Sequence, residues 1–160
     1  KLYNFQIDLG VVGKPLKEKF KSDLYYIPYM KQKIVVIVGK GSKFYNYHTI
    51  KLSDLNGENF INRESGSETR RVFEDNLKKS SIKVNTVMEV SRTTMVQAVK
   101  ENIGFGLISE PEFDNYKDIK KIHIDDNDIF TQAYLVCLKK KKTDNLVNAF
   151  IETAKKIIIK

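Results

Sequence analysis

Short apolar runs that alternate with helix-period segments constrain the fold of this chain most. Several runs are rich in β-branched residues and apolar on both faces, instead of alternating with polar residues. Such runs indicate strands covered on both sides, as in parallel or mixed α/β sheets. The predicted strands are residues 7–12, 34–38, 59–62, 86–90, 105–108, 119–124 and 134–138.

Three segments between and after these strands repeat apolar residues at helical spacing. The first helix is predicted over residues 66–79, and the second over 91–102 with a stop at Gly104. A third follows Thr143, and its apolar stripe is Leu146, Val147, Phe150, Ile151, Ala154 and Ile158. Strands alternating with helices at this spacing predict an α/β fold.

Length and composition exclude several classes of protein. The 160 residues, 41% of them hydrophobic, suffice for one domain or two small lobes with a core. Cys137 is the single cysteine and the two histidines lie far apart, so a disulfide framework or a cysteine-rich metal centre is excluded. No apolar run is long enough to cross a bilayer, and we expect a cytoplasmic protein without a cofactor.

The chain is basic, with 28 Lys and Arg against 20 Asp and Glu. A net charge of +8 suits a nucleic acid, a membrane surface or a small anion, and it also fits compositional drift in a lysine-rich chain. The run of lysines at residues 139–142 also has two interpretations. It could contact phosphate backbones, or it could be a solvated loop, since no aromatic residues are interleaved with it.

The first of two hydroxyl-rich clusters follows the predicted strand 59–62. A helix that begins here exposes unpaired N–H groups, and a glycine lets a ligand approach them. Alternatively, Ser65 and Glu68 fit a capping box, which would satisfy the same groups internally. The candidate ligand-binding residues of this cluster are Arg63, Ser65, Gly66, Ser67 and Thr69.

The second cluster, Ser91, Arg92 and Thr93, opens the second predicted helix. It could be an ordinary Ser91 N-cap with a solvated Arg92. Alternatively, because ligands of open α/β sheets bind beyond the carboxyl ends of strands, the two clusters could converge on one crevice. Catalysis has little support: no nucleophile elbow, phosphate loop or zinc motif is present, and Glu64 and Glu89 have no identified partner.

The order of the motifs resembles the effector-binding domain of LysR-type transcriptional regulators. Each motif is degenerate, but their order and spacing cover nearly the whole chain. The segments that carry the resemblance are IDLGVVG at 7–13, KIVVIV at 33–38, SDLNGENFI at 53–61, RESGSETR at 63–70, EVS at 89–91, MVQAV at 95–99, GFGLIS at 104–109 and YLV at 134–136.

This resemblance implies a type 2 periplasmic-binding-protein-like fold with mixed sheets, two lobes and two crossover strands. Lobe I would be residues 1–38 plus 134–160, and lobe II residues 39–133. The crossovers would be 33–38 and 134–138. A small effector would bind in the cleft, to Val12 and Gly13 of lobe I and to the two hydroxyl clusters of lobe II, with Arg63 or Arg92 adding charge.

The sequence departs from the family pattern in two ways. It starts after the first strand, helix and strand of the domain and without the winged helix-turn-helix, so we expect an N-terminally truncated domain that contacts DNA only through the missing part. Cys137 is not in the helix-start turn where peroxide-sensing relatives carry their reactive cysteine, which disfavours redox sensing.

The expected function is effector sensing in a bacterial LysR-type regulator, without enzymatic activity. Ligand-dependent lobe closure would modulate DNA binding by a homodimer or tetramer that does not contact membranes. The effector would be a small anion: an oxyanion, a carboxylate or an amino-acid-like metabolite. The alternatives are a periplasmic solute-binding protein for a small anion, which an upstream signal peptide would reveal, and an enzyme on the same fold.

Overall fold

The chain divides into two compact units, which are described separately. The computed structural model describes residues 1–13, 22–114 and 116–158. The first unit consists of Lys1–Lys31 and Gln132–Lys160, and the second of Gln32–Thr131. The chain passes from one unit to the other within two strands. In the part that the structure describes, no helix is long and apolar enough to cross a membrane.

The described residues contain eight strands and three α-helices. The strands are β1 (Leu9–Val12), β2 (Leu24–Gly39), β3 (Thr49–Ile50), β4 (Asn59–Arg63), β5 (Asn85–Val90), β6 (Gly106–Ser109), β7 (Ile119–Ile124) and β8 (Phe130–Leu138). The helices are α1 (Glu68–Ser80), α2 (Arg92–Lys100) and α3 (Asn145–Ile158). Short 3₁₀ helices cover Leu52–Leu55, Glu110–Glu112 and Lys139–Lys141.

The second unit is built on a mixed sheet. The second half of β2 pairs antiparallel with both β6 and β7, and β3 pairs parallel with β7. Strand β4 pairs parallel with β5. The residue just before β6 is Phe105. Its carbonyl accepts a hydrogen bond from the Ile61 N–H, and its N–H donates one to the Asn59 carbonyl, each 2.9 Å long. These two bonds connect β4 to the segment that leads into β6. The predicted mixed α/β architecture is confirmed.

Two apolar cores lie on opposite sides of β2. Because side chains alternate along a strand, Ile34, Val36 and Val38 enter one core, while Val35 and Ile37 enter the other. Helix α1 buries its apolar face in the first core and α2 buries its own in the second. Strands buried on both faces explain why these runs lack polar alternation.

The end of α2 differs from the prediction. The helix ends at Lys100, and Asn102 takes the left-handed conformation with φ of 56°. The Ile103 N–H then bonds back to the Ala98 carbonyl at 3.1 Å, as in a Schellman motif. Gly104 is needed for another reason: a Cβ there would lie 2.5 Å from the Asn59 carbonyl oxygen in β4.

The first unit packs α3 on a small sheet. Strand β1 pairs antiparallel with β8, and Val147, Ile151 and Ala154 of α3 are buried with the apolar side chains of the unit. The predicted stripe is right for these three positions. It is wrong for Leu146 and Phe150, which are 86% and 55% exposed, and the side chain of Ile158 lies outside the described part of the chain.

Candidate functional site

The two hydroxyl-rich clusters follow neighbouring parallel strands. Arg63 at the end of β4 is in register with Val90 at the end of β5, and the Glu64 N–H donates to the Val90 carbonyl at 3.1 Å. Helices α1 and α2 therefore begin at the same edge of the sheet. The structure thus brings the two clusters of the second unit to adjacent strand ends.

A tight turn leads into α1. The Ser67 N–H bonds to the Glu64 carbonyl at 3.2 Å across Gly66, whose φ of 93° favours glycine. Ser67 is the N-cap, and its hydroxyl accepts the Arg70 N–H at 3.4 Å. The predicted capping box from Ser65 to Glu68 is therefore wrong. It is wrong because the helix starts two residues later than that box requires.

The start of α1 keeps donors available. The N–H groups of Glu68 and Thr69 donate to no residue that the structure describes, as expected for the first turn of a helix. The Ser65 hydroxyl is exposed and likewise makes no hydrogen bond to the described residues. A hollow of about 280 Å³ lies here, lined by Ser65, Gly66, Ser67, Glu68, Arg70, Arg71 and Glu74. The partial positive charge of a helix N-terminus favours an anion in such a place.

The start of α2 has the same organisation. Ser91 is its N-cap, as one of the two interpretations held, and its hydroxyl accepts the Thr94 N–H at 3.4 Å. The oxygen atoms of the Ser91 and Thr94 hydroxyls are 3.1 Å apart. Thr93 is exposed. Arg92 is not merely solvated, because its guanidinium pairs with the Glu112 carboxylate at 3.0 Å.

All four arginines of the chain lie around these helix starts, and each is paired with a carboxylate. Arg63 holds Glu64 through two hydrogen bonds of 2.8 Å. This contact lowers the pKa of Glu64 to about 2 and raises the pKa of Arg63. Hydrogen bonding to Glu68 raises the pKa of Arg71. The arginine charges are therefore neutralised locally, and donor groups rather than bare charges face an incoming ligand.

Arg70 ties the region together, and the motif analysis missed it. Its guanidinium donates to the Arg63 carbonyl at 2.8 Å, to Glu74 at 2.9 Å and to Glu89 at 2.6 Å. These contacts connect the end of β4, helix α1 and strand β5. The hydrogen bond to Glu89, and after it the one to Glu74, raises the pKa of Arg70. The signal in the sequence was the rarity of arginine: only four of the 28 Lys and Arg residues are arginines, and all four lie within residues 63–92.

Val12 and Gly13 belong to the first unit. Val12 lies opposite Tyr134 in the β1–β8 pair and packs beside a small apolar cluster. Gly13 forms a bend directly after β1. Their assignment to a ligand site stays a prediction.

The structure gives no support to catalysis at the clusters. The two candidate carboxylates, Glu64 and Glu89, are ion-paired with Arg63 and Arg70. A carboxyl group whose pKa is about 2 is a weak general base at neutral pH. No group of three metal-ligating side chains occurs among the described residues. Cys137 is buried in β8, and burial raises the pKa of its thiol.

Comparison with protein families gives a match over nearly the whole chain. The family model of the LysR substrate binding domain matches residues 1–157. A curated relative, an uncharacterized HTH-type transcriptional regulator (MJ0300) of Methanocaldococcus jannaschii, is 31% identical over 157 residues. That alignment covers 94% of this chain and 52% of the relative. The chain thus spans about half the length of this relative.

Solved structures share the fold. The regulatory domain of CcmR from Synechocystis PCC6803 in complex with 2-PG matches with a TM-score of 0.82 and 24% identity, over 98% of this chain and 76% of that one. The effector binding domain of QuiR in complex with shikimate matches with a TM-score of 0.84 and 22% identity, over 98% and 74%. One is a regulatory domain and the other an effector binding domain, and their likeness to this chain supports a type 2 periplasmic-binding-protein-like fold.

Proposed function

The chain belongs to the family of LysR substrate-binding domains, and from this premise we propose that it senses a small anionic effector. Domains of this family are ligand-sensing parts of transcriptional regulators and not enzymes. The proposed ligand is an oxyanion, a carboxylate or an amino-acid-like metabolite. Two structurally similar domains were solved in complex with small molecules, CcmR with 2-PG and QuiR with the carboxylate shikimate, which supports this chemical class.

The observation that carries the proposal is the shared edge of β4 and β5. Two capped helices begin there, and the N–H groups of Glu68 and Thr69 have no partner among the described residues. The exposed hydroxyls of Ser65 and Thr93 add donors to the two clusters. Because the nearby arginines already hold carboxylates, backbone dipoles and hydroxyls would provide most of the recognition.

The proposed regulation follows the family. Effector binding would draw Val12 and Gly13 of the first unit and the helix starts of the second onto one ligand. The resulting closure of the two lobes would bias a cytoplasmic homodimer or tetramer toward or away from productive DNA binding. A winged helix-turn-helix outside this sequence would make the specific DNA contact. The curated relatives are regulators, which favours this proposal over a periplasmic solute-binding protein.

An NMR titration tests where anions bind. The ¹⁵N-labelled chain is titrated separately with 2-PG, shikimate, inorganic phosphate and inorganic sulfate. We expect at least one of them to produce saturable shifts in the amides of residues 65–69 and 91–94. Saturable shifts confined to other regions would place the ligand elsewhere, and the absence of any shift would contradict an anion site that accepts these classes.

A matched pair of variants separates ligand contact from helix stability. Ser65→Ala removes a hydroxyl that makes no hydrogen bond within the described chain. We therefore expect weaker binding of the responding anion and unchanged stability without ligand, with a loss of about 0.5–1.5 kcal/mol for one hydrogen bond. Ser80→Ala, at the other end of α1, is the control and should bind like the native chain. Equal affinity of all three proteins would remove Ser65 from the site.

A further inference from the structure

The excess of positive over negative charge falls in one unit. Counted from the sequence, the first unit holds 13 basic and 5 acidic residues, and the second holds 15 of each. The whole net charge of +8 therefore belongs to the first unit. Compositional drift toward lysine would spread the excess over both units, so the asymmetry calls for a separate explanation.

Part of this charge forms a defined surface after β8. Lys139–Lys141 make a 3₁₀ turn, which the Lys139 N–H fixes by donating to the Asp23 carbonyl at 2.8 Å. The Lys142 N–H closes the turn on the Lys139 carbonyl at 3.2 Å. Lys139, Lys140 and Lys142 are exposed. These three lysines are called the lysine patch below.

Aromatic rings hold two of these amines in place. The Lys140 Nζ lies 4.3 Å from the centroid of the Phe5 ring, and the Lys142 Nζ lies 4.3 Å from that of Tyr25. The sequence run has no interleaved aromatic residue, but the fold supplies two from distant positions. A cation–π contact orders an amine without neutralising it, so the full charge stays available to a partner.

The neighbouring carboxylates are largely taken by other lysines. Lys141 pairs with Asp8 at 3.5 Å and with Asp144 at 3.0 Å, and Lys155 pairs with Glu152 at 2.7 Å. The Asp23 carboxylate, which lines the same hollow as Lys139 and Lys140, accepts the Ser22 hydroxyl at 3.3 Å. Of the residues that the structure describes, no carboxylate lies within ion-pair distance of the lysine patch.

We propose that the lysine patch is a binding surface for the phosphate backbone of duplex DNA, without sequence preference. Exposed lysines act as point charges that contact phosphates and carry no base readout. The family is one of transcriptional regulators, so duplex DNA is the polyanion nearest to the chain when it works. The proposal rests on this family membership and not on the effector site. Its effect would be to add a salt-dependent, non-specific contact by the sensing domain itself.

Fluorescence anisotropy with the 160-residue chain tests this surface. The probe is a labelled duplex of about 30 base pairs, in two unrelated sequences, at about 20 to 200 mM KCl. We expect similar affinity for both sequences and a linear fall of log K with log salt. If three lysines contact phosphates, they contribute about −2.7 to that slope.

Charge-neutralising variants locate the contact. The triple variant Lys139→Gln, Lys140→Gln, Lys142→Gln should lower DNA affinity at least tenfold at the lowest salt and make the slope shallower by about 2 to 3. The control, Lys78→Gln, Lys79→Gln, Lys83→Gln, changes the net charge equally in the second unit and should keep most of the affinity. Equal losses in both variants would mean that only net charge matters, and no DNA binding by the native chain would overturn the proposal.

Two further measurements guard the interpretation. The double variant Lys140→Arg, Lys142→Arg keeps both charges and both ring contacts, so it should bind DNA like the native chain even if the Gln variant folds poorly. Its failure to bind while folded would contradict the proposal. Phosphatidylserine vesicles are the competing polyanion: binding to vesicles that exceeds binding to DNA and depends on the same lysines would assign the patch to a membrane surface instead.

Discussion

The three serines around the helix starts differ in a way that unfolding experiments can measure. Ser67 and Ser91 cap α1 and α2, whereas Ser65 makes no hydrogen bond to the described residues. Replacing a capping serine with alanine costs about 0.5–2 kcal/mol in proteins. Each cap bond here is 3.4 Å long, at the weak end of hydrogen-bond geometry. We therefore expect a loss of about 0.5–1 kcal/mol for Ser67→Ala.

Ser91→Ala should cost at least as much, since the Ser91 hydroxyl also lies 3.1 Å from the Thr94 hydroxyl oxygen. Ser65→Ala should stay within about 0.5 kcal/mol of the native chain, as is usual for an exposed residue. For a chain of this size, a cap loss corresponds to a fall in melting temperature of roughly 1 to 4 °C.

Urea and thermal unfolding, followed by far-UV circular dichroism without ligand, measure all three variants. The free energies of unfolding of Ser91→Ala and Ser67→Ala should be clearly lower than that of the native chain, and that of Ser65→Ala should equal it. If Ser65→Ala lost as much stability as Ser67→Ala, the helix would start at Ser65, and the assignment of Ser65 as a free ligand donor would fail. If Ser67→Ala were neutral, the cap would contribute nothing.

Three other predictions follow from single contacts. Gly104→Ala should lower the free energy of unfolding by about 1–3 kcal/mol in urea melts, because the new Cβ meets the Asn59 backbone. The pKa of Glu64 is lowered, so its pairing with Arg63 stabilises the fold fully above the ordinary carboxyl pKa of 4.5, and this stabilisation is lost as the pH falls toward 2. In Glu64→Gln, the free energy of unfolding should therefore depend less on pH between these two values. A pH profile of unfolding that is the same in the variant and the native chain would contradict the pairing. Cys137 should react slowly with Ellman's reagent in the native chain and quickly in urea, because it is buried and its thiol pKa is raised; rapid native reaction would show that β8 opens readily.

The local sequence pattern predicted the strands well where an apolar run is also buried in the structure. Strand β7 has the predicted bounds, and the strand runs of β4 and β6 are displaced by one residue at most. Strand β2 is different: it begins at Leu24, ten residues before the predicted start at residue 34. Its first half is interrupted by Pro28 and is exposed from there to Lys31, and a proline within a run argues against a strand inside a sheet. Pairing with other strands holds this half extended, and such pairing is not visible in a local window.

The site shows the same division between local and distant information. The hydroxyl clusters and the Ser91 cap depend on neighbours in sequence, and they were predictable. Two partners of the arginines were not, because Arg70 meets Glu89 and Arg92 meets Glu112 across some 20 residues of chain. The rings beneath Lys140 and Lys142 come from still more distant positions. A run of four lysines in the sequence therefore gave no indication of its ordered environment.

All four arginines lie in the second unit and the lysine patch lies in the first, and this separation predicts how salt should act. The arginines at the helix starts are neutralised by carboxylates, so a small anion there would be held mainly by short-range hydrogen bonds to N–H and hydroxyl groups. The lysine patch is unpaired within the described chain and would act through longer-range charge, which salt screens. Raising KCl from about 20 to 200 mM should thus weaken DNA binding steeply while changing anion binding at the helix starts much less. Parallel salt dependence of the two would mean that both ligands use the same charges, and it would refute the separation argued here.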